Sequence, residues 1–407
     1  MNVGIGYQNE QNAWSAGKKV AEAALEQGQI SRPDLVVAFC SGQLAAEEFF
    51  RGLQAVVGQE TPIIGGSAIG LITNEVLAYT GYPAGAVIIQ TDAIRFRIAA
   101  AGGLDHDERQ AGRAVAEKLA CTPEDKLLLM FYDSIKTPAT SMTPPVMNAS
   151  PLLIGGIEET FGRPLPIIGA GVLGDYAFQP TQQFCGTYVG SQSVAGALLS
   201  GDFELYYRIM HGCVPMDGIY HRITSMEGAF IYELDGKPIV DRIDTVYGSA
   251  DWQTQLPVKR LSIGVNVGEK YGDFQEDQYI NRLIAGALPD RQGIILFEPD
   301  LENGLEIQFM LRDEEQILAS AKNNTVSLFE QILAAGHTPA FGLYIDCAGR
   351  NASVSEMLTE EATEVMTIFN QYQTPLFGFY SGVEVAPFLG KSRGLDWTGV
   401  LVVFTKE

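Results

Sequence analysis

Apolar residues in this chain gather into short unbroken runs of strand length, and the same succession of runs occurs three times. Residues 34–40 (DLVVAFC), 126–133 (KLLLMFYD) and 340–347 (AFGLYIDC) are continuous apolar stretches, the pattern of strands buried on both faces. Each gives way to small or polar residues and then to a stretch with helical spacing. A Pro-led strand follows and runs into glycine: TPIIGGSAIG at 61–70, LPIIGAGVLGD at 165–175 and TPLFGFYSGVE at 374–384. Each copy closes on a strand entered through glycine, AGAVIIQ from Ala84, CGTYVG from Cys185 and TGVLVVF from Thr398. The unit is therefore strand-helix-strand-strand. Its period is far longer than that of solenoid repeats, which predicts packed lobes and not a linear array.

Helical spacing predicts amphipathic helices over residues 14–25 with Gly28 as the stop, 44–57, 107–119, 146–161 entered through Pro144 and Pro145, and 314–335. The character changes around residues 201–214, which sets the division at 1–205 and 206–407. The second part opens β-rich: a hairpin turn at Asp235-Gly236, strands at 261–267, 293–297 and 305–311, and a second turn at Asn303-Gly304. The prediction is an α/β (α+β) fold of two duplicated domains, with mixed sheets flanked by helices.

The whole motif series resembles the FIST family, the F-box and intracellular signal transduction proteins. PDLVVAFCSG, TPIIGGSAIG and PIIGAGVLGDYAFQPTQQFCG resemble its N-terminal domain. ELDGKPIVD, AFGLYIDCAGR, TPLFGFYSGVEV and the closing TGVLVVF resemble its C-terminal domain. The resemblance covers nearly the whole chain, in family order. It implies a sensory domain that binds a small metabolite, such as an amino acid, in signalling. The chain departs from the family where Val383 separates Gly382 from Glu384, where Leu71 replaces an acid, and where Leu395 and Asp396 replace a His-Asn pair.

The strand ends are where open α/β sheets bind ligands. In the third copy this places Cys347, Gly349, Arg350 and Asn351 beside Gly378, Tyr380, Ser381 and Glu384, as ligand-binding candidates in one cleft. Arg350 offers a planar donor fork for a carboxylate and Glu384 an acceptor for an ammonium group, which suits an amino acid. The bland alternative is that Arg350 and Glu384 pair with each other or cap local backbone. Ser41, Ser67, Asp133 and Asp175 hold the corresponding strand ends of the N-terminal half, a second pocket by the same logic. Glycines such as Gly65, Gly66, Gly169 and Gly171 read as tight turns, since no P-loop is present and IGAGVLGD only partly matches a dinucleotide fingerprint.

Charge and thiols narrow the field. With 27 Lys plus Arg against 49 Asp plus Glu, the net charge is −22, which opposes nucleic acid and anionic membrane surfaces as partners. The five cysteines form no CxxC pair, as expected of reduced thiols in a cytoplasmic protein without a zinc site. No secretory leader or spanning segment is expected, and no cofactor. The acidic groups at Asp273, Glu276 and Asp277 and at Asp300 and Glu302 lack calcium-loop spacing. The rival reading is an enzyme with Cys347 or Cys40 as nucleophile, for which His106, His211, His221 and His337 show no partnering pattern. A third is a docking scaffold. The chain holds no output module, so a signal is expected to leave through a partner such as a kinase or receptor.

Overall fold

In the computed structural model, which describes residues 1–138, 145–355 and 357–406, the three repeats build one unit three times. The first consists of β1 (Asn2–Asn9), α1 (Ala13–Gly28), β2 (Leu35–Ser41), α2 (Ala46–Val57), β3 (Ile63–Ala68), β4 (Leu71–Thr73) and β5 (Pro83–Gln90). The second follows as β6 (Ile94–Gly102), α3 (Glu108–Leu119), β7 (Asp125–Asp133), α4 (Ser150–Phe161), β8 (Ile167–Val172), β9 (Gln183–Cys185) and β10 (Ser193–Gly201). The third comprises β11 (Leu205–Met210), α5 (Glu314–Ala334), β12 (Thr338–Cys347), α6 (Glu361–Gln371), β13 (Leu376–Ser381), β14 (Val383–Phe388), β15 (Lys391–Leu395) and β16 (Gly399–Lys406). The fold is the expected mixed α/β arrangement of several mixed sheets flanked by helices.

Within each unit the two central strands are parallel, with Val37 opposite Ile64, Met130 opposite Gly169 and Tyr344 opposite Gly378. The closing strand lies antiparallel on the far side of the first. The second central strand would be left as a bare edge, and the chain covers it with a strand from another unit. β9 pairs with β3, β14 with β8, and β4 with β13. The exchange is cyclic, so the three sheets face a common core. There Phe39, Phe131 and Phe379 meet, with ring centroids 5.0 Å apart for Phe39–Phe131 and 3.8 Å for Phe39–Phe379.

The glycine of each Pro-led strand has a steric cause. A Cβ on Gly65, Gly169 or Gly378 would lie 1.9, 1.7 or 2.4 Å from the carbonyl oxygen of Ala38, Met130 or Tyr344 on the neighbouring strand. Gly65, Gly66, Gly169 and Gly171 are strand residues, which corrects the tight-turn reading. Glycines notch the helix layer too: a Cβ on Gly17 or Gly52 would meet the partner helix backbone at 2.1 or 2.2 Å, and on Gly112 or Gly156 at 2.3 or 2.1 Å.

Between β11 and α5 the chain inserts a small barrel. Its strands run in the order His221–Glu227, Phe230–Leu234, Ile294–Leu296, Tyr279–Ala287, Leu261–Asn266 and Glu306–Arg312, and the last pairs back to the first. Helix Ile239–Tyr247 packs onto a core that includes Trp252 and Phe309. Asp235 and Gly236 both have positive φ, 54° and 70°, as the hairpin turn requires. The strand after that turn, Lys237–Pro238, is two residues long. The sequence pattern missed Tyr279–Ala287, which is buried along nearly its whole length and so shows no alternation.

Two boundaries shift. α4 starts at Ser150 with Pro151 in its first turn, while Val146–Met147 is a short strand and Pro144 lies outside the described residues. CGTYVG is not a closing strand: its residues belong to the β9 hairpin, and β10 closes the second unit. Among the described residues no helix is long and apolar enough to cross a membrane.

Neighbouring glycines on α4 provide a test. A Cβ at Gly155 has no atom nearer than 3.8 Å, whereas at Gly156 it meets the Arg109 carbonyl. Gly156→Ala should destabilise the protein by roughly 1–3 kcal/mol, and Gly155→Ala should leave it unchanged or stabilise it by up to about 1 kcal/mol. Urea unfolding of the two variants checks this; equal effects would refute the close-packed helix pair.

Candidate functional site

The register of β12 and β13 places Asp346 opposite Tyr380 and Cys347 opposite Ser381 at their C-terminal ends. Gly382 then turns the chain into β14, where Glu384 lies opposite Ala170 of the second unit. A Cβ at Gly382 would sit 2.7 Å from Leu173 and 2.8 Å from Ser134 Oγ, so this junction closes only around glycine. β15 returns with Leu395 opposite Glu384, followed by Asp396.

Arg350 and Glu384 are both fully buried, and they do not bond to each other. The Arg350 Nε donates to Glu361 and lies 3.3 Å from Asp346 Oδ1; Nη1 donates to the carbonyls of His211 (3.0 Å) and Trp397 (2.7 Å). Burial alone would depress the guanidinium, but Glu361 and Asp346 outweigh it and hold it well above its ordinary value. Asp346 is pushed well up, by burial first and then by the Glu361 charge, against the pull of Arg350. Nη2 of Arg350, both carboxyl oxygens of Asp346 and Oε2 of Glu361 are buried without a hydrogen-bond partner.

Other predicted residues surround this pair. The Tyr380 hydroxyl donates to Glu360. Asn351 donates to the hydroxyl of Tyr176, which donates to the Ala348 carbonyl at 3.0 Å and belongs to a residue 42% exposed, so Tyr176 forms the outer wall. Gly349 is required because a Cβ would lie 2.1 Å from the Trp397 ring. Cys347 is buried against Trp397 and Leu283, and burial followed by the Glu384 charge pushes its thiol well up. Gly378 lies within β13, pressed against Tyr344.

A second acidic cluster, absent from the sequence reading, adjoins the first through Glu384. Ser381 Oγ lies 2.8 Å from Glu384 Oε1, and the Thr398 amide donates to Oε2 at 3.3 Å. Burial pushes Glu384 well up, and Asp396 adds to the rise. Asp396 is raised to about 6 by burial against the pull of Arg282. Glu298 is raised to about 8, by burial and then by Asp396, and accepts from Ser150 Oγ at 2.6 Å. Burial and then the charges of Glu298 and Asp396 raise Tyr132 too. Its hydroxyl, Ser134 Oγ, Glu298 Oε1 and Asp396 Oδ1 are buried and unpartnered. Arg282 lies nearby but is clasped by Asp300, with Nε donating at 2.7 Å. Carboxyl groups thus outnumber the cations, and buried polar atoms without partners call for water or a ligand. Among the described residues no group of three or more His, Cys, Asp or Glu could hold a metal.

The N-terminal candidates serve the backbone. Asp133 accepts from the amides of Ile135, Thr181 and Gln192, and burial still lifts it to about 6. Ser67 Oγ accepts from the Gln182 amide at 3.2 Å, Ser41 Oγ from that of Gln43 at 3.2 Å, and Asp175 from that of Ala177 at 2.9 Å. Ser67 and Asp133 anchor the same segment, while Asp175 opens the loop towards Tyr176.

The FIST N domain matches residues 34–237 and the FIST C domain residues 241–387. No curated protein matches. Among solved structures, a chorismatase is similar over all of both chains at 9% identity with a TM-score of 0.35. A cyanuric acid hydrolase from A. caulinodans is similar over 99% of this chain and 98% of its own, at 10% identity and a TM-score of 0.30. At those scores neither likeness bears on what this chain does.

The raised acids fix a pH dependence. Asp396 and Glu298 keep their protons in the folded chain where the unfolded chain, at a carboxyl pKa of about 4, has lost them. Their share of stability is present below about pH 4 and lost as pH rises through about 6 and about 8, at up to about 1.4 kcal/mol per pH unit for each group. In Glu298→Gln the urea midpoint should fall less between about pH 5 and pH 8 than in the parent; parallel slopes would contradict the raised Glu298.

Proposed function

The chain belongs to the FIST family, and on that premise we propose that it is a small-ligand sensor of signal transduction, without catalysis, that takes an amino acid or a similar zwitterion. FIST domains are sensory domains of signal-transduction proteins. The observation that carries the ligand class is the set of buried, unpartnered atoms in the two adjoining clusters: Arg350 Nη2 in one and the Asp396 and Glu298 oxygens in the other. A carboxylate suits the free guanidinium donor, and an ammonium group suits the acid cluster. Tyr176, half exposed and hydrogen-bonded to Asn351, is placed to move aside for entry. The protein acts in the cytoplasm, with a small molecule as ligand and a signalling protein such as a kinase or receptor as recipient. It uses no cofactor and contacts neither nucleic acid nor the membrane interior.

The burial of the candidate nucleophiles supports a reading without catalysis. Burial pushes the thiols of Cys40 and Cys347 up, and a reactive cysteine needs the opposite.

Melting temperature measured against amino acids, simple amines and simple carboxylates should rise with dose for a zwitterion, because a ligand of the folded state stabilises by mass action. The shift should vanish in Asp396→Asn, which removes the charge of an acid with an unpartnered oxygen in the cluster; Arg350→Ala would strand Glu361 and cost roughly 3–5 kcal/mol by itself. A shift unchanged in Asp396→Asn removes the site, and no shift with any zwitterion removes the ligand class. Iodoacetamide near neutral pH should label half-buried Cys121 before Cys40 or Cys347, read by mass spectrometry; fastest labelling at Cys347 would restore the enzyme reading.

A further inference from the structure

β11 is the outer strand of the third unit's sheet. Among the described residues it pairs with β16 along one side only, and its other side opens into a groove of about 800 Å³. The groove is walled by α5 through Asn324, Ser327 and Gln331, and by the tip of the β14–β15 hairpin, where Leu389 is 60% exposed. An unpaired edge presents amide donors and carbonyl acceptors to any extended chain, and folded proteins cover or charge such edges. Here the cover is one side chain. The Arg208 guanidinium folds back to donate to the Tyr207 carbonyl at 3.0 Å and to Gln331 Oε1 at 2.7 Å. On the Tyr207 carbonyl it takes the place that a partner strand's amide would take, and its long flexible stem lets it swing away while keeping its bond to Gln331 on the groove wall.

Charge selects the occupant. Glu204 lies just before β11 and lines the groove, with Lys126 Nζ at 3.8 Å as its only ion-pair partner among the described residues. At the other end, Glu276 accepts from the amides of His211 and Gly212, directly after the strand, which places Asp277 beside it on the groove wall. Carboxylates therefore bracket a six-residue strand, about 20 Å at some 3.3 Å per residue. Arg208 is the cation between them, and it would leave the edge as a strand enters.

We propose that the open edge of β11 is a docking site for an extended segment of a partner protein carrying a basic residue at each end, which adds to the sheet as a further strand. Main-chain hydrogen bonds would hold it and the bracketing acids would set its register and charge preference. This goes beyond the sensor reading and does not depend on it.

The test uses the full chain and a fluorescein-labelled, end-blocked hexapeptide Lys-Val-Thr-Val-Thr-Lys, followed by anisotropy. The basic peptide should bind at least about tenfold more tightly than its counterpart with glutamate at both ends. N-methylation of alternate backbone amides should cost a similar factor in one of the two possible phases only, because only one set of amides faces β11. The double variant Glu204→Lys/Asp277→Lys should reverse the preference between the two peptides. Binding that ignores peptide charge, survives methylation in both phases or is unchanged in the double variant overturns the proposal, as does no binding at millimolar protein. Sedimentation showing a dimer that the basic peptide cannot dissociate also overturns it, since the occupant would then be a second copy of this chain.

Discussion

The hydrogen-bonding needs of a strand edge govern this architecture. Each unit closes one side of its parallel pair with its own antiparallel strand but leaves the second central strand bare. Buried amides and carbonyls without partners would cost more than a domain of this size can absorb. β4, β9 and β14 supply the missing partners, each from another unit, so no unit is complete by itself. The phenylalanines at the centre then pack because the ring of exchanged strands has already brought the three sheets face to face. Stability and the placement of every strand end follow from that exchange.

The same exchange creates the buried polar seam. β14 leaves its own sheet to cover β8, and in crossing it carries Glu384 between the second and third units. β15 follows with Asp396, and the inserted barrel brings Arg282, Glu298 and Asp300 to the same place. Burial raises the acids that lack a close cation, while Arg350 is kept charged by Glu361 and Asp346. Replacing such a cluster with apolar groups is often neutral or stabilising. The unpartnered polar atoms retained there are the ones on which the proposed ligand reading rests.

Much of the fold was legible because the repeat has a steric signature. Proline starts the second central strand, and the glycine after it is forced by backbone contact at Gly65, Gly169 and Gly378, so the three copies stand out without structure. Helical spacing alone placed the helices at 107–119 and 314–335, and the structure adds the caps Asp107 and Asp313, whose side chains accept from the amides of Gln110 and Gln316. Local pattern failed where burial removed alternation, as in Tyr279–Ala287, and where a turn chemistry favours a hairpin that the chain then abandons, as after Gly236.

Of the site, the sequence by itself determined which residues stand at the strand ends, since alternation and register follow from the period of a strand: Cys347, Arg350, Tyr380, Ser381 and Glu384 do lie together. Tertiary structure alone decided their partners. Glu361 arrives on α6, 11 residues beyond Arg350, while Glu298 comes from the barrel and Tyr176 from the second unit, both distant along the chain from the residues they meet. Whether Arg350 faces a ligand, Glu384 or Glu361 is set by Coulomb energies that depend on separation in space and on exclusion of water, and neither is encoded in local spacing.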